Sequence, residues 1–108
     1  MRKVFVSVPM KGRSSEDIKY SILKMHHLAE IYTNEKLELI DSYVIEEPPM
    51  NCNVSLWYLS KSLEKLAIAD VFIGIEDFLG CYGCQLERMA ANYYKIESYI
   101  VNPKIILN

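Results

Sequence analysis

Three groups of residues in this chain carry side chains that could do chemistry. The first is Glu87, four residues after Gly83. A helix beginning at Gly83 places this carboxylate in its first turn, aimed toward the preceding loop, where the helix dipole favours the anion. A low-pKa, ionised carboxylate suits attack on an electrophilic sugar carbon, with a covalent glycosyl intermediate that is later resolved. The plain alternative is a surface glutamate of the kind favoured at helix starts. The second group is the loop Ser7-Val8-Pro9-Met10-Lys11-Gly12-Arg13. It holds a hydroxyl, two cations and a glycine where a helix begins, which suits a phosphate or carboxylate bound through backbone amides. It has neither the P-loop pattern nor the three-glycine dinucleotide pattern, so a solvated turn is the alternative. The third group is Cys81-Tyr82-Gly83-Cys84, a C-x-x-C whose second thiol, at a helix amino terminus, is open to a lowered pKa. Thioredoxin-like pairs follow a first strand, and Cys52, His26 and His27 do not complete a zinc set. No metal is therefore expected, and His26 and His27, within the first helix, are expected at the surface.

Periodicity places these groups on an alternating framework. Val4-Phe5-Val6-Ser7-Val8 reads as a buried strand stopped by Pro9. Ser14, with an acid three residues on, opens a helix whose apolar face is Ile18, Ile22, Met25, Ala29 and Tyr32, and Asn34 is its left-handed terminus. Leu37-Glu38-Leu39-Ile40-Asp41 reads as the second strand, and the paired prolines Pro48 and Pro49 force a loop. Leu56, Leu59, Leu63 and Leu66 repeat at helical spacing, capped by Asn53 or Asn51 and running into Ala69-Asp70. Val71-Phe72-Ile73-Gly74-Ile75 is apolar throughout, as a strand covered on both faces must be. A turn at Gly80-Cys81-Tyr82-Gly83, a helix over 84–94 and a strand Ser98-Tyr99-Ile100-Val101 complete the pattern, and Ile105-Ile106-Leu107 is a candidate edge strand.

Strand, helix, strand repeated with right-handed crossovers predicts an α/β three-layer sandwich. Its sheet has four or five mostly parallel strands in the flavodoxin-like or Rossmann-like order 2-1-3-4. Ligands of such sheets bind outside the carboxyl ends of the strands near the switch point. The loops after strands 1 and 3, residues 7–13 and 76–83, meet there.

Length and composition bound the rest. A chain of 108 residues, 51% apolar and 24% charged, is the size of one domain and sits near globular averages. A net charge of −2 with interspersed signs supplies no basic stripe, so nucleic acid is not an expected partner. No apolar run approaches the roughly 20 residues of a membrane span, and the amino terminus has no signal-peptide core. A cytoplasmic protein with reduced cysteines is expected.

The run Gly83-Cys84-Gln85-Leu86-Glu87-Arg88-Met89-Ala90-Ala91 resembles a segment of nucleoside 2-deoxyribosyltransferases and deoxynucleotide N-glycosidases. In these, a glycine precedes the nucleophilic glutamate by four and an alanine follows it by four; Gly83, Glu87 and Ala91 hold those places. Residues 4–13 resemble the first strand and substrate loop of the same superfamily, and Ala69-Asp70-Val71 the start of its third strand. The likeness is closest to short bacterial and phage proteins that share the Ser-Val-Pro-Met-Lys-Gly-Arg loop, a Leu-Trp-Tyr-Leu segment and a Gly-Cys before the glutamate.

The resemblance implies Glu87 as nucleophile. It places Ser7, Pro9, Met10, Lys11, Gly12 and Arg13, with Asp77, Tyr82 and Gly83, around a nucleoside or nucleotide. It implies no cofactor, and homo-oligomers in which neighbouring subunits complete the pocket. Two acids common in the transferases, six residues before the nucleophile and eight before the Asp of the Ala-Asp pair, are here Cys81 and Ser62. Base recognition then falls to groups such as Asp77, Tyr82, Trp57 or Tyr58, of which the last two are also candidates for packing or subunit contact. The expected function is cleavage or transfer of an N-glycosidic bond. The alternatives are a nucleotide-binding module without turnover and, more distantly, a thiol-dependent protein using Cys81 and Cys84.

Overall fold

A computed structural model of the chain describes residues 1–42, 44–76 and 81–105. Its elements alternate as read: β1 (Lys3–Val6), α1 (Ser15–Thr33), β2 (Glu38–Leu39), α2 (Val54–Leu66), β3 (Val71–Ile75), α3 (Tyr82–Tyr93) and β4 (Glu97–Val101). The strands form one four-stranded sheet, parallel throughout, in the order β2-β1-β3-β4. The fold is an α/β sandwich of the Rossmann or flavodoxin kind. Among the described residues no helix is long and apolar enough to cross a membrane.

Strand alternation sorts the core into two layers. Val4, Val6 and Val8 on β1 and its continuation, with Val71, Ile73 and Ile75 on β3, join Met25 and Ala29 of α1. Phe5 and Phe72 face the other way and pack with Leu66 of α2 and Ala91 of α3, their rings stacked at 6.0 Å. Ser7, two residues after Phe5, therefore turns toward α2 and α3, and Gly74, two after Phe72, lies beside it. An added Cβ at Gly74 would stand 3.8 Å from the Ser7 Cβ and only 2.9 Å from the Phe72 ring.

Several elements end where local chemistry dictates. Ser14 accepts the Asp17 amide at 3.1 Å, and Asn34 closes α1 at φ 55°, ψ 39°, the left-handed terminus expected of it. Asn53, of the two candidates, caps α2 by accepting the Leu56 amide at 3.0 Å. Several boundaries differ from the sequence reading, among them the end of β1 at Val6 rather than Val8 and the start of β4 at Glu97 rather than Ser98. β2 pairs over two residues rather than five and is bonded only to β1. α2 stops at Leu66, and Ala67 and Ile68 turn the chain so that Asp70 can accept the Lys3 amide at 2.8 Å. α3 starts at Tyr82, ahead of Gly83. Ile105 lies in a 3-10 turn, Pro103–Ile105, rather than an edge strand, and residues 106 and 107 lie outside the described ones.

At the amino ends of the strands, Arg2 bonds both oxygens of Glu35 at 2.9 Å and reaches Glu97 at 3.0 Å. The guanidinium holds both carboxyls below the usual range. Glu97 also accepts the Tyr99 hydroxyl, which raises the phenol's pKa. Nearby, both backbone polar groups of buried Leu37 are met by α1: its amide donates to Glu30 at 2.9 Å, and its carbonyl lies 2.7 Å from the His26 ring nitrogen Nε2. His26 is thus half-buried and engaged, not a surface group as expected, whereas His27 is exposed.

Candidate active site

The carboxyl ends of β1 and β3 bring together a site built on Glu87. Ser7 follows β1 and keeps a strand bond, its amide donating to the Ile73 carbonyl at 2.9 Å. Glu76 follows the neighbouring strand β3; its amide donates to the Val101 carbonyl of β4 at 2.8 Å and its own carbonyl accepts Arg88 at 2.9 Å. That second bond ties α3 to the end of β3.

Because α3 starts at Tyr82, Glu87 is its sixth residue, in the second turn rather than the first, and its side chain turns inward. It is 9% exposed. The Ser7 hydroxyl, itself 2% exposed, donates to Glu87 Oε1 at 2.7 Å, and half-buried Ser62 of α2 presents a second hydroxyl that favours the anion. Burial pushes the Glu87 carboxyl above its ordinary pKa, while the two hydroxyls pull it down less strongly. The low-pKa carboxylate and the surface glutamate weighed from the sequence are both overturned. Desolvation outweighs the dipole, which acts on the first turn and fades beyond it.

Cys84, the third residue of α3, is buried against the same serine and against Cys81. Burial and the Cys81 contact push its thiol well up, the opposite of the lowering expected at a helix start. Cys81 occupies the cap position of α3 without a side-chain cap bond.

The residues after Ser7 form a tight turn. The Arg13 amide donates to the Met10 carbonyl at 3.2 Å, and Gly12 holds φ 77°, a left-handed conformation that costs glycine little. Lys11 is exposed and Pro9 half-buried. The Arg13 guanidinium turns back into the protein, donating to the Pro9 carbonyl at 3.0 Å, the Asp17 carbonyl at 3.3 Å and the hydroxyl of buried Ser21. It braces the loop onto α1. Lys11 is the cation of this loop that projects freely into solvent.

Of the remaining predicted residues, Tyr82 is 75% exposed at the start of α3, Gly83 follows it with open space where a Cβ would stand, and Asp77 lies outside the described residues. Trp57 packs edge-on against Tyr58 at 5.0 Å, with Lys61 5.3 Å above its ring. Farther out, Leu59 and Leu63 of α2 face Leu86, Met89 and Tyr93 of α3 across a shallow apolar groove. The sequence reading missed Ser62 as a partner of Glu87, although helical spacing from Leu59, Leu63 and Leu66 puts it beside the packed stripe. It also missed Ser21, a polar residue on the buried face of α1. Among the described residues no group of three metal-ligating side chains occurs.

The fold and site define an α/β domain with a buried, hydroxyl-held carboxyl at the switch point of its sheet. No protein-family model, curated protein or solved structure matches the chain.

Proposed function

We propose that this protein cleaves or transfers the N-glycosidic bond of a nucleoside or nucleotide, with Glu87 as nucleophile and residues 7–13 holding the sugar or its phosphate. The observation that carries this reading is the buried carboxyl of Glu87, held by Ser7 and Ser62 beside the loop at the carboxyl end of β1. A carboxylate that water solvates poorly is a stronger nucleophile once ionised, and two fixed hydroxyls orient its oxygens. An oxygen of Glu87 attacks the anomeric carbon and the carbon–nitrogen bond breaks. Its electron pair leaves with the base, which takes up a proton. Water, or a nitrogen of a second base, then attacks the same carbon, and the ester bond breaks to restore the carboxylate.

Lys11 is the group for a 5′-phosphate, and Tyr82, Trp57 and Tyr58 supply aromatic faces for a base. A second reading, nucleotide binding without turnover, is favoured by Cys81 and Ser62, which replace the acids expected from the resemblance. Incubation with a panel of deoxynucleosides and their 5′-monophosphates, with chromatography of free base, separates the two. Base release lost in Glu87→Ala supports the enzyme. Binding of a panel member with no release from any of them supports the module.

A further inference from the structure

The C-x-x-C takes no part in the proposed reaction, yet its two thiols meet. Cys81 caps α3 with φ −102° and ψ 83°, and its side chain makes no hydrogen bond to the helix amides. Cys84 lies three residues on, buried in the core cluster against which Cys81 packs, and the Gln85 amide closes the turn between them on the Cys81 carbonyl at 3.3 Å. Positions three apart at a helix start have Cα atoms about 5 Å apart, within the span a disulfide bridges. Cys81 is half-buried and so within reach of a small oxidant, whereas Cys84 is buried, 3% exposed, as part of the core cluster. Cys84 also touches Ser7, whose hydroxyl holds Glu87.

We propose that Cys81 and Cys84 form a reversible disulfide, an oxidation site one contact from Ser7, through exchange with a small-molecule disulfide such as oxidised glutathione. The Cys81 thiolate attacks one sulfur of the oxidant, whose S–S bond breaks and releases one thiolate. Cys84 gives up its proton and attacks the Cys81 sulfur of the mixed disulfide, expelling the second thiolate. The two protein thiols lose two electrons, and the oxidant becomes two thiols once its sulfurs are protonated. Burial and the neutral state of Cys84 set the order: Cys81 meets the oxidant and Cys84 resolves it.

The test is intact-mass spectrometry of the folded protein carrying Cys52→Ser, incubated with oxidised glutathione. The expected product is lighter than the starting protein by two hydrogens, carries no glutathione and returns to the reduced mass with a dithiol. In the same background, Cys84→Ser is expected to stop at a lasting glutathione adduct on Cys81, and Cys81→Ser to stay unmodified while folded. The proposal is overturned if the folded two-cysteine protein stays reduced or keeps glutathione as a stable adduct. It is also overturned if Cys84 takes up glutathione in the folded Cys81→Ser variant. Circular dichroism of each variant confirms that the folded state is the one assayed.

Discussion

Ser7 and Glu87 stand eighty residues apart in the chain and share a 2.7 Å hydrogen bond in the interior. The bond joins the end of the first strand to the second turn of the last helix, so the whole βαβ crossover must be in place before the carboxyl is held. It also sets two effects against each other. Burial favours the protonated acid, the hydroxyls favour the anion, and burial is the larger.

This balance has a sign that melting curves can read. The folded pKa of Glu87 lies above its unfolded value, so between the two the native state keeps a proton that the unfolded chain has lost. Stability then falls as pH rises through that window. Below the unfolded value, near pH ~4, both states are protonated and the penalty is absent. Glu87→Gln, a mimic of the protonated acid, is expected to match wild type in acid and to melt increasingly above it as pH rises through the window between the unfolded and folded pKa. A variant that matches wild type in acid but melts below it as pH rises would mean that the ionised group is net stabilising.

Removing the carboxyl altogether has a different cost. Glu87→Ala leaves the buried Ser7 hydroxyl without its acceptor, and a loss of about 1–3 kcal/mol in denaturant unfolding is expected. Base release is expected to vanish with it. If the variant unfolds like wild type, the hydroxyl has found another partner and Glu87 is not its anchor.

Ser7→Ala and Ser62→Ala each delete a donor that lowers the Glu87 pKa. Each is expected to push that pKa higher still, moving the acid limb of the pH–rate profile for base release toward neutral pH. A cost of about 1 kcal/mol in stability accompanies each change. A profile unmoved in both variants would detach the serines from the reaction.

The two cations of the loop are expected to separate. Lys11→Ala should weaken binding of a 5′-monophosphate and leave the free nucleoside unaffected. Arg13→Ala removes the brace to Pro9, Asp17 and Ser21 and should weaken both while lowering the melting temperature. Calorimetric titration with each ligand distinguishes a phosphate contact from a loop support. Equal losses for both variants on both ligands would contradict the division.

Gly74 tests the packing behind the site. Gly74→Ala places a methyl 2.9 Å from the Phe72 ring, so the ring stacked on Phe5 must move, and about 1–3 kcal/mol of destabilisation is expected from urea unfolding. A neutral result would show that the Phe72 ring shifts freely.

The sheet was legible because its signals are local and redundant. Val4 to Val8 is a β-branched and aromatic run stopped by a proline, residues 71–75 are apolar without interruption, and Ser14, Asn34 and Asn53 mark helix ends by their own chemistry. The site was half legible. Glu87 was found through its spacing from Gly83 and Ala91, and its meeting with the first loop follows from the topology. Its burial did not follow, because that depends on α3 starting one residue earlier than its glycine suggests and on α2 bringing Ser62 alongside. Arg13 misled for a related reason: a cation at a loop reads as an anion ligand, and only Ser21, facing it from inside α1, shows where its hydrogen bonds go.

The Arg2 fork joins Glu35, just before β2, to Glu97, at the start of β4, and both contacts lie at the end of the sheet farthest from Glu87. Strand alignment is thereby fastened at one end and chemistry hosted at the other. Substitutions that retune the loops for a new substrate leave this fastening untouched, so the chain has room to drift in specificity without losing its register.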